Sequence, residues 1–363
     1  MRAYFEKVNA EDGGVCGRKL ILLTEDSENS PTIALEKVRK LIEQDRVLAL
    51  VGDHGTAAIT GEVEYVSDPN GDGDKSDGVP HLLVYSGNPK WDDPQRWPWT
   101  IAYDAINRAD GEVFARYVND NAQRLFGKPP QEVRAAILYQ NDDFGRTGRD
   151  AFKAVFAGLI ATEQSYEATA TDISSQLANI RAANPDVVFA NSAGQFTASL
   201  FRYIATSGWR PKLIVMAFPN VPSSIAPLLG GDASLMEGAL VNSFLLDAVA
   251  DRDKPEMQEH ARIMQRYGGG APVSFASILG QANAEIQVEI LRIACMRGDM
   301  TRKGVLEAAE SLSDFHPSLF QPGITVGFSK SDHLAVEMLV PSQVQRDGSL
   351  RPVVAAPVPT RRR

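Results

Sequence analysis

The sequence predicts an α/β protein made of two doubly wound, Rossmann-like lobes with parallel sheets. Its 363 residues exceed the length of one ordinary domain, and each half is long enough to bury a core of its own. Short apolar runs alternate with segments of helical apolar periodicity, which is typical of parallel sheets covered by helices. Because this alternation occurs in two successive stretches, two sheets are favoured over one.

The first stretch contains one clear βαβ unit. Apolar side chains have helical spacing over the first eight residues, and Ser30 and Pro31 then open a helix over residues 32–44. Apolar runs on either side of that helix predict strands at 19–24 and 47–51. Further strands are predicted at 82–85, 135–139, 186–190 and 213–216, and further helices at 110–125, 148–160, 172–183 and 195–207.

The last third of the chain changes character. Thr301 is predicted to cap a helix that runs to residue 311, and the proline-rich tail 355–363 is predicted to be disordered. Strands are predicted at 240–246, 324–328, 335–340 and 350–354, and helices at 256–267 and 274–296.

Composition excludes several classes of function. The formal net charge of −9 argues against a nucleic-acid partner, which requires a basic surface. No apolar run approaches the ~18–20 residues that cross a bilayer. No phosphate-binding glycine loop, nucleophile elbow or HExxH motif is present, so the sequence predicts no enzyme, no catalytic residue and no cofactor. The five histidines lack metal-ligand spacing, so no metal is predicted at the site. They are His54, His81, His260, His316 and His333.

Candidate ligand-binding residues follow from the position of loops after strands. In an open parallel sheet the ligand lies outside the carboxyl ends of the strands. Gly55 and Thr56 follow one predicted strand, and Thr56 offers a hydroxyl beside free N–H groups at a helix start, which suits a carboxylate. Ser86 and Gly87 follow the next strand. Two alternatives to ligand binding stay open. Thr56 could instead cap its own helix, and the loop of Ser86 and Gly87 could be a plain turn.

Loops of the second stretch supply further candidates. Phe144 follows a strand and could cover the apolar part of a ligand, or it could be a buried residue beside a helix cap. The remaining candidates follow the next two strands: Asn191, Ala193, Gly194 and Phe218.

One acidic segment resembles a calcium loop. Asp68, Asn70 and Asp72 occupy positions one, three and five, and Gly73 occupies position six. Position twelve is Val79, where a bidentate glutamate is expected. A calcium site and a solvated acidic insertion therefore both stay open.

Five sequence pieces, in this order and spacing, resemble the leucine/isoleucine/valine-binding family of type I solute-binding proteins of ABC transporters. They are GGVCGRKLILLTEDSENSP, VRKLIEQDRVLALVGDHGT, YSGNPKW, AILYQNDDFG and PGITVGFSKSDH. The resemblance implies a type I periplasmic-binding fold, with two lobes joined by three crossovers near residues 103–106, 244–248 and 325–329. On this basis lobe 1 comprises 1–104 plus 247–325, and lobe 2 comprises 105–246 plus 326–354.

The resemblance also implies roles for the candidate residues. Thr56 and the Ser86-Gly87 loop match positions where the first lobe holds the carboxylate and ammonium of a ligand. Phe144 matches an aromatic contact that is usually Tyr. Ala193 or Gly194 aligns where another aromatic can occur, and residues 218–220 align where an acidic partner can occur, but none of these three is acidic. The ligand is therefore left open among amino acids, amides, urea and small aromatic or aliphatic acids.

By the same resemblance, the expected function is the substrate-binding component of an ABC importer. It would capture a small polar solute in the interlobe cleft by hinge closure and present it to the permease subunits. The implied location is periplasmic or extracellular, with lipid anchoring as one form. The alternative is a ligand-sensing regulatory protein of the same fold, which binds an amide or a metabolite.

The start of the chain and the two cysteines carry two further expectations. Family members open with a leader and a first strand, and the resemblance predicts that such a segment precedes Met1. Without an interior first strand, two neighbouring strand edges would be exposed. Cys16 and Cys295 allow either one pair or two free thiols, and the resemblance places both at the pole of one lobe away from the cleft, where a disulfide is one outcome.

Overall fold

A computed structural model describes residues 1–104, 106–218 and 220–360, so residue 105 of the first expected crossover and residue 219 of the expected 218–220 loop lie outside the described residues. The helices are α1 (Arg2–Glu11), α2 (Pro31–Arg39), α3 (Thr56–Ser67), α4 (Ile106–Phe126), α5 (Asp143–Val155), α6 (Ser174–Ala182), α7 (Gln195–Ser207), α8 (Pro222–Ile225), α9 (Pro255–Tyr267), α10 (Phe275–Met296) and α11 (Arg302–Ala309). The strands are β1 (Leu50–Val51), β2 (His81–Val84), β3 (Thr100–Asp104), β4 (Arg134–Gln140), β5 (Leu159–Tyr166), β6 (Val187–Asn191), β7 (Leu213–Met216), β8 (Leu240–Ser243), β9 (Leu334–Val336), β10 (Met338–Val344), β11 (Leu350–Pro352) and β12 (Val358–Pro359).

The chain forms two units and passes between them three times. Unit 1 is Met1–Ala105 with Asp253–Glu337, and unit 2 is Ile106–Arg252 with Met338–Arg363. Two predicted boundaries differ from this division. Residues 247–252 belong to unit 2, because the Asp247 carboxylate accepts hydrogen bonds from N–H groups of its own loop and from Leu350 N–H. Residues 326–337 belong to unit 1, because β9 pairs with β3.

The sheet of unit 1 is parallel, in the order β1-β2-β3-β9. Helix α3 packs on it through Ile59 and Val63, which are buried with Trp91 and Trp97. These tryptophans come from the segment between β2 and β3, so the core of the unit closes over the strand ends that carry the site loops. The predicted α/β class with parallel sheets is confirmed.

The predicted strand at 19–24 is wrong. This segment forms no strand and has no ladder partner among the described residues, and Ile21 is 81% exposed. A cavity of about 790 Å³ lies between it and the residues around β1. Strand β1 is itself paired on one side, with β2. The apolar alternation is that of a strand, but a strand forms only where its N–H and C=O groups meet those of a neighbour.

The sheet of unit 2 is larger and mixed, in the order β11-β10-β8-β7-β6-β4-β5 with β12 beside β10. Strands β4 to β8 are parallel, whereas β10 is antiparallel to β8. Its core centres on Phe152 of α5, whose ring stacks on Phe189 of β6 at 4.9 Å between centroids.

Three sequence expectations in the rest of the chain need correction. The helix predicted at 148–160 ends at Val155, and β5 begins at Leu159 because it pairs with β4. The run 324–328 forms only one isolated bridge, between Phe315 and Val326. The tail 355–363 is not disordered as far as it is described, because β12 pairs with the start of β10. Residues 361–363 lie outside the described residues.

The structure confirms the predicted cap at Thr301, adds one at Ser274, and answers one open question. Ser274 and Thr301 cap α10 and α11 by accepting hydrogen bonds from backbone N–H groups. Cys16 and Cys295 form a disulfide with a Cα–Cα distance of 6.0 Å, which ties the loop after α1 to the end of α10. In the part of the chain that the structure describes, none of the helices combines the length and apolarity needed to span a bilayer.

Candidate functional site

In unit 1 the structure brings together the two loops that the sequence predicts to bind ligand. Thr56 Oγ1 lies 2.9 Å from Ser86 Oγ and 3.2 Å from Ser86 O. The indole Nε1 of Trp91 donates to Ser86 Oγ over 2.7 Å and so fixes the serine rotamer. The loops meet because β1 and β2 are adjacent and parallel, so their carboxyl ends lie at one edge of the sheet.

The start of α3 differs from the capping alternative. Thr56 is the first residue inside the helix, and the residue before it, Gly55, makes no side-chain cap. Gly55 has a φ of 104°, and an added Cβ would lie 2.2 Å from Asn29 Oδ1, so only glycine fits there. The first turn of α3 therefore presents backbone N–H groups without a side-chain cap, beside the Thr56 and Ser86 hydroxyls. Such a helix start favours an anion.

The surroundings of this hydroxyl pair are aromatic. His54 stacks on Tyr85 with ring centroids 5.1 Å apart, and burial lowers the pKa of His54 below its usual value. With its pKa lowered, the imidazole is neutral at neutral pH and adds no positive charge beside the hydroxyl pair. Gly87 has a φ of 65°, which turns the chain away after Ser86.

In unit 2 the residue closest to the sequence expectation is Phe144. It is the second residue of α5 and is half-buried. Asp142 caps this helix by accepting from Gly145 N–H over 3.0 Å, so the aspartate has the structural role that the sequence left open. Phe144 itself keeps an accessible face at the start of the helix.

Two predicted site residues of unit 2 are supporting residues. Asn191 is fully buried, and its Nδ2 donates to the Gly145 carbonyl over 2.7 Å, which joins the end of β6 to the start of α5. Phe218 is only 3% exposed, and its ring packs on Phe244 at 5.3 Å. Neither side chain is accessible, and their role as direct ligand contacts stays a prediction.

The other two predicted residues lie at the start of α7. Gly194 precedes the helix with a φ of 52°, and Ala193 donates its N–H to the Tyr166 hydroxyl over 3.4 Å. Both are partly accessible. Tyr166 also contacts the ring of Phe196 at 4.1 Å, so the aromatic surface at this loop comes from a strand that the sequence reasoning missed, β5.

The carboxylate of Asp110 of α4 lies beside Phe218. It is fully buried and accepts hydrogen bonds from Phe218 N–H and Asn242 Nδ2, each over 2.7 Å. Asn220 donates to the carbonyls of Ser192 and Ala217. The Asp110 carboxylate and the Asn220 amide therefore stabilise the loop that follows β7.

In the acidic loop that begins at Asp68, the first carboxylate is hydrogen-bonded to the backbone of the loop itself. The Asp68 carboxylate accepts hydrogen bonds from the N–H groups of Gly71, Asp72 and Gly73, and Val79 at the twelfth position is fully buried in the core. This favours the solvated acidic insertion over the calcium site. A different cluster that the sequence did not indicate, formed by Asp53, Glu62 and His81, is the group of potential metal ligands found among the described residues.

Comparison with known proteins gives a consistent result. The family model described as periplasmic binding protein matches residues 1–349. A relative from Brucella suis biovar 1 (strain 1330), the Leu/Ile/Val-binding protein homolog 7, is 24% identical over 306 residues, covering 79% of this chain and 69% of the relative.

Solved structures agree. The structure of a branched-chain amino acid ABC transporter from Thermus thermophilus with bound valine has a TM-score of 0.81 at 16% identity, covering 99% of this chain and 90% of that one. A fatty acid ABC transporter substrate-binding protein from Thermomonospora curvata has a TM-score of 0.74 at 20% identity, covering 97% and 84%. The resemblance to the leucine/isoleucine/valine-binding proteins is thus confirmed, and the chain belongs to the periplasmic binding protein family.

Proposed function

We propose that this protein is the substrate-binding component of an ABC importer and that it captures a small polar solute. The observation that carries the proposal is the Thr56–Ser86 hydroxyl pair beside the uncapped first turn of α3. The protein would bind the solute without turnover and present it to the permease subunits of the transporter.

The chemistry of this pair suits a carboxylate with a neighbouring donor group. The hydroxyl of Thr56 and the N–H groups at the start of α3 would donate to the carboxylate oxygens, and the helix dipole would favour the negative charge. The Ser86 carbonyl, already an acceptor for Thr56 Oγ1, would accept from an ammonium or amide N–H of the same ligand. One edge of one sheet thus offers both donors and an acceptor.

Unit 2 is expected to contribute apolar contacts, and the proposal assigns Phe144 and the loop at Ala193 and Gly194 to this role. Phe144 lacks a hydroxyl, so it would contribute apolar area and no hydrogen bond. No acidic residue occupies 218–220 to answer an ammonium group. We therefore keep the ligand class at amino acids, amides, urea and small carboxylic acids. The names of the relatives, which include a Leu/Ile/Val-binding protein and a fatty acid transporter protein, support a range of this kind.

The proposed location is the periplasm or the cell exterior, with lipid anchoring as one form. The disulfide between Cys16 and Cys295 supports it, because disulfides persist in oxidising compartments. Fractionation of the native cells with an antibody against the protein tests this, and recovery with the cytosolic fraction would contradict it.

A ligand screen tests the proposed function. Thermal-shift measurements against amino acids, amides, urea and small acids should identify at least one solute that raises the melting temperature. Thr56→Val removes the hydroxyl and should weaken binding of that solute about ten- to hundredfold, the equivalent of losing one hydrogen bond to a charged group.

Thr60→Val is the matched control. Thr60 lies one turn further along α3, and its hydroxyl donates to the Thr56 carbonyl. This variant should bind the solute as the unmodified protein does. Equal affinities of the Thr56 and Thr60 variants, or a screen in which no solute shifts the melting temperature, would contradict the proposal.

A further inference from the structure

Three ionisable side chains from separate elements meet inside unit 1. Asp53 follows β1, Glu62 lies on α3 and His81 begins β2. His81 Nε2 lies 2.8 Å from Asp53 Oδ2 and 3.5 Å from Glu62 Oε1. One nitrogen or oxygen atom of each residue lies within 4.8 Å of the others. The parallel pairing of β1 with β2, and the packing of α3 on the sheet, create this arrangement.

The Glu62 carboxylate lacks the partner that burial demands. Glu62 is only 2% exposed, and its Oε1 atom is buried and accepts no hydrogen bond. Among the described residues no lysine or arginine forms an ion pair with it, and its neighbours in the cluster are the His81 imidazole, with Nε2 3.5 Å from Oε1, and the Asp53 carboxylate, which repels it. A buried carboxylate oxygen without a donor is costly, so this atom is suited to a cation.

A solvent route reaches the cluster. Asp53 and Glu62 both line the cavity of about 790 Å³ beside β1, and the Asp53 side chain is 30% exposed. The cluster therefore has one accessible carboxylate, one buried carboxylate and one fully buried imidazole. An ion entering from the cavity would meet the two carboxylates first, and His81 Nε2 lies 2.8 Å from Asp53 Oδ2 behind them.

The structure assigns to Asp53, Glu62 and His81 a binding site for a divalent first-row transition-metal ion, with zinc as the best fit. Zinc binds both imidazole nitrogen and carboxylate oxygen, the imidazole disfavours magnesium and calcium, and water from the cavity would complete a four-coordinate site. This assignment is separate from the proposed solute site, since it uses none of the Thr56 or Ser86 groups.

The geometry around His81 supports a metal-bound imidazole. Its Nδ1 lies 3.3 Å from Thr100 Oγ1, so an N–H at Nδ1 can be directed to the threonine while Nε2 faces the ion. Metal-bound histidines usually donate their second nitrogen to such a partner. Two ligand atoms on tetrahedral zinc lie about 3.4 Å apart, so the partly exposed Asp53 would move outward by a few tenths of an ångström.

Zinc binding to the untagged full chain tests the assignment. Metal is removed by dialysis against a chelator, zinc is added, and the bound ion is measured by equilibrium dialysis with elemental analysis. We expect one ion per chain, and cobalt as a probe should give the visible absorption bands of a four-coordinate site. Magnesium and calcium should compete poorly, because neither favours imidazole nitrogen.

Matched variants distinguish this site from non-specific uptake. Glu62→Gln keeps the size of the side chain and should weaken zinc binding at least tenfold, and Thr100→Val, which keeps all three ligands, should weaken it about ten- to a hundredfold. Asp45→Asn removes a carboxylate from the wall of the same cavity and should leave zinc affinity unchanged.

Two results would overturn the assignment. If the unmodified chain takes up no zinc, His81 is held between the two carboxylates as an imidazolium ion and the cluster needs no metal. If zinc binds but Glu62→Gln and Thr100→Val bind it as tightly as Asp45→Asn does, the ion lies elsewhere. Solute binding measured on the same samples separates this outcome from a failure of the proposed transport role.

Discussion

Removing the Cys16–Cys295 disulfide should destabilise unit 1 measurably. The bond closes a loop with a sequence separation of 279 residues. If residues 106–252, the part of unit 2 that lies within that loop, stay folded, the flexible length falls to roughly 130 residues, and the chain-entropy relation then gives about 5 kcal/mol. The full loop gives about 5.6 kcal/mol, because the dependence on length is logarithmic. Measured losses are usually smaller, so we expect about 2–5 kcal/mol for Cys16→Ser with Cys295→Ser.

Calorimetry of the oxidised protein and of the double-serine variant measures this loss. For a unit of this size each 1 kcal/mol corresponds to about 2–4 °C, so the transition of unit 1 should fall by roughly 4–20 °C. The control is a phosphine reductant, which should lower the melting temperature of the unmodified protein and leave that of the variant unchanged. Equal melting temperatures, or two free thiols in the unreduced denatured protein, would refute the reasoning.

Three further predictions concern unit 2. Burial alone would raise the pKa of Asp186, but hydrogen bonds from two lysines and a backbone N–H lower this pKa overall. The ionised carboxylate therefore stabilises unit 2 at neutral pH, and this stabilisation is lost below about pH 4. Asp186→Asn should therefore flatten the acid limb of a plot of urea midpoint against pH, and an unchanged limb would contradict this. Phe152→Ala removes a fully buried ring stacked on Phe189 and should cost about 3–5 kcal/mol in urea unfolding, whereas a loss below about 1 kcal/mol would show that the core repacks. Gly111→Ala places a Cβ 2.4 Å from the Gly148 carbonyl oxygen between α4 and α5 and should cost about 1–3 kcal/mol, and an unchanged midpoint would contradict that tight contact.

Where apolar periodicity coincides with a tertiary partner, the sequence predicts elements closely. Helix α7 and strand β7 occur at the predicted residues, and Thr301 caps α11 as predicted. The segment 19–24 has an equally good strand pattern, yet it remains unpaired. The apolar alternation shows which side chains suit a strand. The hydrogen-bond ladder also needs a neighbouring strand, which the local sequence does not specify.

The candidate site, like the fold, could be predicted from the sequence only in part. The rule that ligands meet the carboxyl ends of parallel strands was sufficient to place Thr56 near Ser86, thirty positions apart along the chain. It was not sufficient to separate exposed loop residues from supporting ones, and Asn191 is an example, since its burial depends on the packing of α5. The Asp53–Glu62–His81 cluster has no motif spacing, because its members come from a loop, a helix and a strand.

The central claim is that the Thr56 hydroxyl holds the acidic head group of a small solute. A double-mutant cycle by titration calorimetry tests it most directly, with the best acidic solute from the screen and its primary amide, each titrated into the unmodified protein and into Thr56→Val. We expect Thr56→Val to weaken binding of the acid about ten- to hundredfold and that of the amide much less, so that the two changes are coupled. Equal losses for both ligands would show that Thr56 does not contact the head group and would contradict the account.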